Sequence, residues 1–278
     1  IADTAANLVA ALKNSASSDE LILTVTGTAK AADLITLDGK TSVAVKVDAT
    51  QVTGTFTELN KVYVTNKANF TALGNETVTI SDTVVAANAN IIGNATTGVV
   101  TATVAAATAA TLNAALTDTT VNAYNLTVNG ATAAAADLIA LDAKTSGDVL
   151  VSATTVTGNI NDLTSVYVLA NGLTTGDEVV TITGATTAAQ ADAIADLTTG
   201  AVTATITADA ASALNAALVD ANAGANAYKL TVTGASAKAT DLTGLDGKTS
   251  VAVDASAVTA ISGSSAEVAA AYTTPTTG

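Results

Sequence analysis

The chain has 278 residues, 49% hydrophobic but only 3% aromatic, and contains no Cys, Met, Trp or His, which excludes disulfides, thiolate nucleophiles, Cys- or His-based metal sites and the usual base near neutral pH. A net charge of −14 and a pI near 4.1 exclude a nucleic-acid binder, which needs Lys and Arg to displace counterions from phosphate. No run approaches the roughly 18 unbroken apolar residues of a membrane-spanning helix, so no membrane span is expected.

Alternation of β-branched runs of period two with Ala-rich runs of helical character predicts the elements. In chain order these are helix 5–13, strand 21–26, helix 31–37 and strands 43–47, 77–81 and 99–104. There follow helix 109–116, strand 125–129, helix 135–141 and strands 148–152 and 179–183. The remainder reads as helix 188–197, strand 201–207, helix 210–219, strand 229–233, helix 239–245, strand 251–254, the start of another coil at 258–272 and a tail at 273–278. Leu8 and Leu12, Leu112 and Leu116, and Leu214 and Leu218 are spaced i,i+4 and form apolar stripes. Gly39 and Gly247 are expected to stop their helices in the left-handed conformation, a role that Ala143 at the equivalent place does not suit.

The text of the chain recurs. Leu23-Thr24-Val25-Thr26-Gly27 returns as Leu126-Thr127-Val128-Asn129-Gly130 and as Leu230-Thr231-Val232-Thr233-Gly234, offsets of 103 and 104. Tyr63, Tyr167 and Tyr272 keep the same phase, as do Tyr124 and Tyr228. Strands separated by crossover helices are expected to lie parallel with right-handed connections. The expected fold is therefore an elongated, right-handed α/β repeat solenoid: one parallel β-sheet backed by short Ala-rich helices, with an about 103-residue super-repeat of four coils. It forms a single continuous domain over 1–272, with super-repeats 1–104, 105–208 and a partial 209–272. Its thin core consists of Ala, Val, Leu and Ile.

With Leu23 and Val25 inward, the intervening residues face out. The exposed array then comprises Thr24, Thr26, Thr77, Thr79, Thr101, Thr103, Thr127, Thr181, Thr183, Thr203, Thr205, Thr231 and Thr233. Parallel stacking sets these in ranks about 4.8 Å apart, the lattice an ice-binding face requires. The fourth coil of each period breaks the ranks with Ala44 and Lys46, Leu150 and Ser152, and Ala252 and Asp254. The plainer reading is that Thr suits the exposed face of a sheet.

Gly39-Lys40-Thr41-Ser42, repeated at Gly247-Lys248-Thr249-Ser250, is like the end of a phosphate-binding loop, but Leu34 and Leu242 stand where that loop needs glycine. Lys40 is expected to complement the dipole of its own helix. No catalytic constellation is expected, and no cofactor. Asp48, Asp148 and Asp254 at equivalent strand edges are candidate calcium ligands, with solvated edge charge as the alternative. Sequons stand at Asn69, Asn75, Asn94 and Asn125. The start at Ile1, without an initiator Met, reads as a processed protein or a fragment.

Ala2-Asp3-Thr4-Ala5-Ala6-Asn7-Leu8, with the recurring LTVTG followed by an Ala-rich ADLxxLD, resembles repeats of very large secreted bacterial surface proteins. These are adhesin-like and S-layer-like proteins exported by type I systems, with cyanobacterial and proteobacterial relatives. The resemblance implies an extracellular, cell-surface structural or adhesive role, often with calcium; the nonapeptide calcium repeats of such proteins are absent here. The expected partners are further copies of the chain stacked end to end, or more of the same repeat in a longer chain, with surface glycan or ice as further candidates.

Overall fold

The computed structural model describes residues 1–169, 172–219 and 225–273. It is an α/β structure of parallel strands and short helices in two compact units, Ile1–Val128 with Ala140–Leu150, and Asn129–Ile139 with Val151–Gly278. The super-repeat boundaries at 104/105 and 208/209 fall inside these units. Of the predicted tail, Thr273 ends the helix Ser265–Thr273, and residues 274–278 lie outside the described residues.

In the first unit each strand pairs in parallel with the next along the chain. Ala2–Asp3 pairs with Thr24–Lys30, which pairs with Val45–Gly54. That strand takes both Phe70–Thr71 and Thr77–Ile80, and the series continues through Val100–Thr103 to Ala123–Val128. Gly27 has φ +72, a conformation that costs a residue without Cβ little. The register shifts there, and Thr28 pairs with Gln51 two places beyond Ala49. In the second unit Thr132–Ala134, Thr155–Gly158, Val179–Thr186, Val202–Ile206 and Ala227–Lys229 form a five-stranded parallel sheet in chain order. Ser236–Lys238 and Ala260–Ser262 pair separately, so the described residues form separate sheets where one was expected. Pairings recur at the repeat spacing: Thr28 faces Gln51, Thr132 faces Thr155, and Ser236 faces Ala260.

Seven predicted helices are present: Ala5–Ala11, Ala31–Asp38, Ala109–Ala115, Ala135–Asp142, Ala188–Ala195, Ala211–Ala217 and Ala239–Asp246. Thr4, Thr108 and Thr187 cap three of them by accepting main-chain N–H groups. Three further helices, Phe56–Asn60, Ala86–Gly93 and Ile160–Thr164, were not expected, and the first and last run on as π-helical turns at Lys61–Thr65 and Ser165–Leu169. The predicted strand 251–254 does not form; Asp254 makes a single bridge to Thr231. Gly39 and Gly247 have φ −76 and −70, so neither is a left-handed cap. This explains how Ala143 serves at the same place.

Leu23, Val25, Val47, Val52, Val78 and Val100 are among the fully buried residues of the first unit, and Val156, Val180, Val202 and Leu230 of the second. The bulk of the interior is thus aliphatic, as its composition dictates. The largest buried side chains, however, are Tyr63, Tyr124 and Tyr228, and these bring polar hydroxyls inside that need partners.

A recurrent clasp as the candidate functional site

The Lys-Thr-Ser string fastens one segment of chain to the segment before it. Thr41 is buried. Its Oγ1 lies 3.0 Å from the Asp19 carbonyl and 2.8 Å from that of Leu21, and it accepts the N–H groups of Leu21 at 3.0 Å and Val43 at 3.1 Å. Thr145 Oγ1 repeats this with the carbonyls of Asn122 (3.0 Å) and Tyr124 (2.7 Å) and the N–H groups of Tyr124 (2.8 Å) and Gly147 (3.0 Å). Thr249 does the same with Asn226, Tyr228 and Val251. The following serine adds a main-chain bond: Ser42 N–H to Asp19 at 2.8 Å, Ser146 to Asn122 at 2.9 Å, Ser250 to Asn226 at 2.8 Å.

The lysine reaches the carboxyl end of the preceding helix rather than of its own, which corrects the expectation. Lys144 Nζ donates to the carbonyls of Asn113 at 2.6 Å and Leu116 at 2.8 Å; Leu116 is the C-cap of Ala109–Ala115. Lys248 donates to Leu218, the C-cap of Ala211–Ala217. Lys40 donates to Lys13 at 3.3 Å and Ser15 at 3.1 Å, just beyond Ala5–Ala11. A cation there satisfies carbonyls that the helix leaves unpaired and meets the negative end of its dipole. The string that resembles a phosphate loop thus has its ammonium and its hydroxyl bound to main-chain carbonyls.

Sequence reasoning missed two further clasps, which lack the lysine. Thr96 Oγ1 donates to the Glu76 carbonyl at 2.9 Å and Thr198 Oγ1 to that of Glu178 at 2.7 Å. Thr97 and Thr199 N–H groups reach Gly74 and Gly176, each at 2.8 Å. The signal available was Thr96-Thr97-Gly98 recurring as Thr198-Thr199-Gly200. At Gly98 and Gly200 a Cβ would overlap the carbonyls of Glu76 and Glu178, so only glycine permits this approach.

Buried polar side chains complete the fastening. Glu76 is 2% exposed and accepts from Gly74 N–H, Asn75 N–H and the Tyr63 hydroxyl. Glu178 accepts from Gly176 N–H at 2.9 Å and Tyr167 Oη at 3.2 Å. Tyr124 Oη donates to Asp118 Oδ2 at 2.7 Å. Burial first, then the adjacent carboxylate, pushes all three tyrosine hydroxyls far above their ordinary range, so they serve as donors and do not ionise near neutrality. Asn122 and Asn226 accept the N–H groups of Val100 at 2.8 Å and Val202 at 2.7 Å.

The predicted threonine array falls into short ranks. Thr53, Thr79 and Thr101 stand opposite one another in successive strands of the first unit, ending at Ala123. Thr157, Thr181 and Thr203 do so in the second, ending at Ala227. Thr53 and Thr157 were not foreseen. Thr24 and Thr26 face Lys46 and Asp48, Thr77 faces Gln51 and Thr103 faces Asn125. Thr205 faces Ala185 and Lys229, and Thr231 faces Asp254. Thr127 is partly exposed, and Thr183 and Thr233 are exposed.

Asp48 pairs with Lys46 at 2.6 Å, in a surface ion pair. Asp254 accepts the Ser256 N–H at 3.1 Å, and its bonds from Ser256 hold its carboxyl below the usual range. Asp148 is exposed, and its N–H donates to Asn125 Oδ1 at 3.3 Å. Among the described residues no three acidic side chains gather into a metal-binding group, and no helix is long and apolar enough to cross a membrane. No protein-family model, curated protein or solved structure matches the chain.

Proposed function

We propose that this chain is an extracellular structural repeat protein, a right-handed α/β solenoid that contributes to a fibre, surface layer or adhesin stalk by stacking coil on coil. The observation that carries the reading is the recurrence of one clasp at Thr41, Thr96, Thr145, Thr198 and Thr249. The lysines and hydroxyls of the chain's most conspicuous motif are directed at neighbouring main chain, a use that suits holding segments together rather than acting on a substrate. Stacking also supplies what one segment lacks. Burying a few Val or Leu at roughly 1.5–3 kcal/mol each does not offset about 1–2 kcal/mol of backbone entropy per ordered residue.

The test is light scattering with negative-stain imaging over a range of protein concentrations, with calcium and after chelation. Growth into filaments or sheets is the expected result, and loss of growth on chelation would place calcium at the contacts. A monomer at every concentration would overturn self-assembly.

An ice-binding face is the second reading, favoured by the ranks Thr53, Thr79, Thr101 and Thr157, Thr181, Thr203. It requires thermal hysteresis that falls when Thr79 or Thr181 is replaced by a bulky residue.

A further inference from the structure

A glycine, a capped helix and a tyrosine recur together at three places. A Cβ on Gly54 would lie 2.8 Å from the Ala31 methyl, one on Gly158 2.7 Å from that of Ala135, and one on Gly263 3.3 Å from that of Ala239. A helix cap follows each: Thr55 with Glu58, Asn159 with Asp162, and Ser264 with Glu267. Each helix leads to a tyrosine. Tyr63 is 1% exposed and bonded to Glu76, and Tyr167 is bonded to Glu178, whereas Tyr272 is 73% exposed. The adjoining strands follow suit. Val45–Gly54 takes Thr77–Ile80 on its outer side and Thr155–Gly158 takes Val179–Thr186. Among the described residues Ala260–Ser262 pairs with Ser236–Lys238 alone.

We propose that Tyr272 and the outer edge of Ala260–Ser262 form a docking surface for a polypeptide segment with a Gly-x-Glu turn followed by a strand of alternating Val and Thr. Gly176, Glu178 and Val179–Thr186 define that chemistry. The inference rests on the stacking reading above and names what stacks here. The glutamate carboxylate accepts the Tyr272 hydroxyl, and the strand adds in parallel to Ala260–Ser262 by main-chain hydrogen bonds. An intact second copy holds both of its own such carboxylates buried, Glu76 and Glu178 each 2% exposed. The occupant is therefore a segment whose Gly-x-Glu turn is free.

The probe is a synthetic peptide of residues 174–208, titrated calorimetrically into the full chain. One peptide per chain is expected to bind, about tenfold more weakly after Tyr272→Phe in the chain or Glu178→Gln in the peptide, with no further loss when both are changed, since they are partners. Ordering a free peptide costs affinity, so a second arm appends residues 174–208 to the end of the chain. There the unfolding midpoint is expected to rise, and to rise less with glutamine in place of the appended glutamate. No glutamate-dependent effect in either arm overturns the docking surface. Growth of the unmodified chain in light scattering without such an effect would sink this surface and leave stacking standing; the effect without growth would do the reverse for self-assembly.

Discussion

The hydroxyl of Thr145 accepts two main-chain N–H groups and lies within reach of two carbonyls, all out of water. Thr145→Val keeps the shape and leaves those groups unpaired, so a loss of about 2–3 kcal/mol is expected, read as a lower urea midpoint; Thr145→Ser should recover most of it. An unchanged valine variant would mean that the clasp does not hold the segments. The buried tyrosines give a pH dependence whose sign is fixed. Their folded pKa values are raised above the unfolded value near 10. Above that pH the unfolded chain loses protons that the folded chain keeps. Stability is therefore intact below pH 10 and declines above it, by up to about 1.4 kcal/mol per pH unit for each such group. In Tyr63→Phe the alkaline slope should be shallower, and thermal melts between pH 9 and 11 would show it.

Elements are held at distances that glycine sets. Gly98→Ala drives a methyl into the Glu76 carbonyl and should cost about 1–3 kcal/mol, while Gly176→Ala meets nothing within 4 Å and should be nearly neutral. Gly39→Ala, at φ −76, should leave stability unchanged or raise it by about 0.4–1 kcal/mol through the unfolded chain. A marked fall in its melting temperature would restore the left-handed cap. Helices such as Ala109–Ala115 were legible because their Leu spacing and Ala content act locally. Thr132–Ala134 and Ser236–Lys238 were not, because Ala, Ser and Lys have little strand preference and only pairing with distant residues makes them strands. Val62 and Val64 around Tyr63 look like a strand, yet the capping box of Thr55 and Glu58 starts a helix that carries on through them. That box was written in the sequence and offered the missing signal. The threonine faces were readable from alternation, but their division into ranks of three depended on register. The destination of Lys144, a carbonyl on another helix, had no local signature.

At the scale of the molecule, charge opposes the association that stacking favours. Acidic residues number 24 against 10 basic, and Lys46 with Asp48 is the ion pair found among the described residues. Copies repel at neutral pH, and about 0.15 M salt limits that repulsion to roughly 8 Å. Assembly should therefore grow with salt and as pH falls toward the pI near 4.1, followed by scattering intensity. Growth that weakens with added salt would point instead to contacts between opposite charges.

The clasps also have a direction in time. In each, the hydroxyl lies 20–23 residues after the carbonyl it binds: 22 from Thr41 to Asp19, 20 from Thr96 to Glu76, 23 from Thr145 to Asn122. A chain emerging from its amino end presents every acceptor before its donor, and each closure spans a short loop, which favours rapid folding. Such a chain can set like a zip, each length locking onto one already finished, without waiting for its far end to be made.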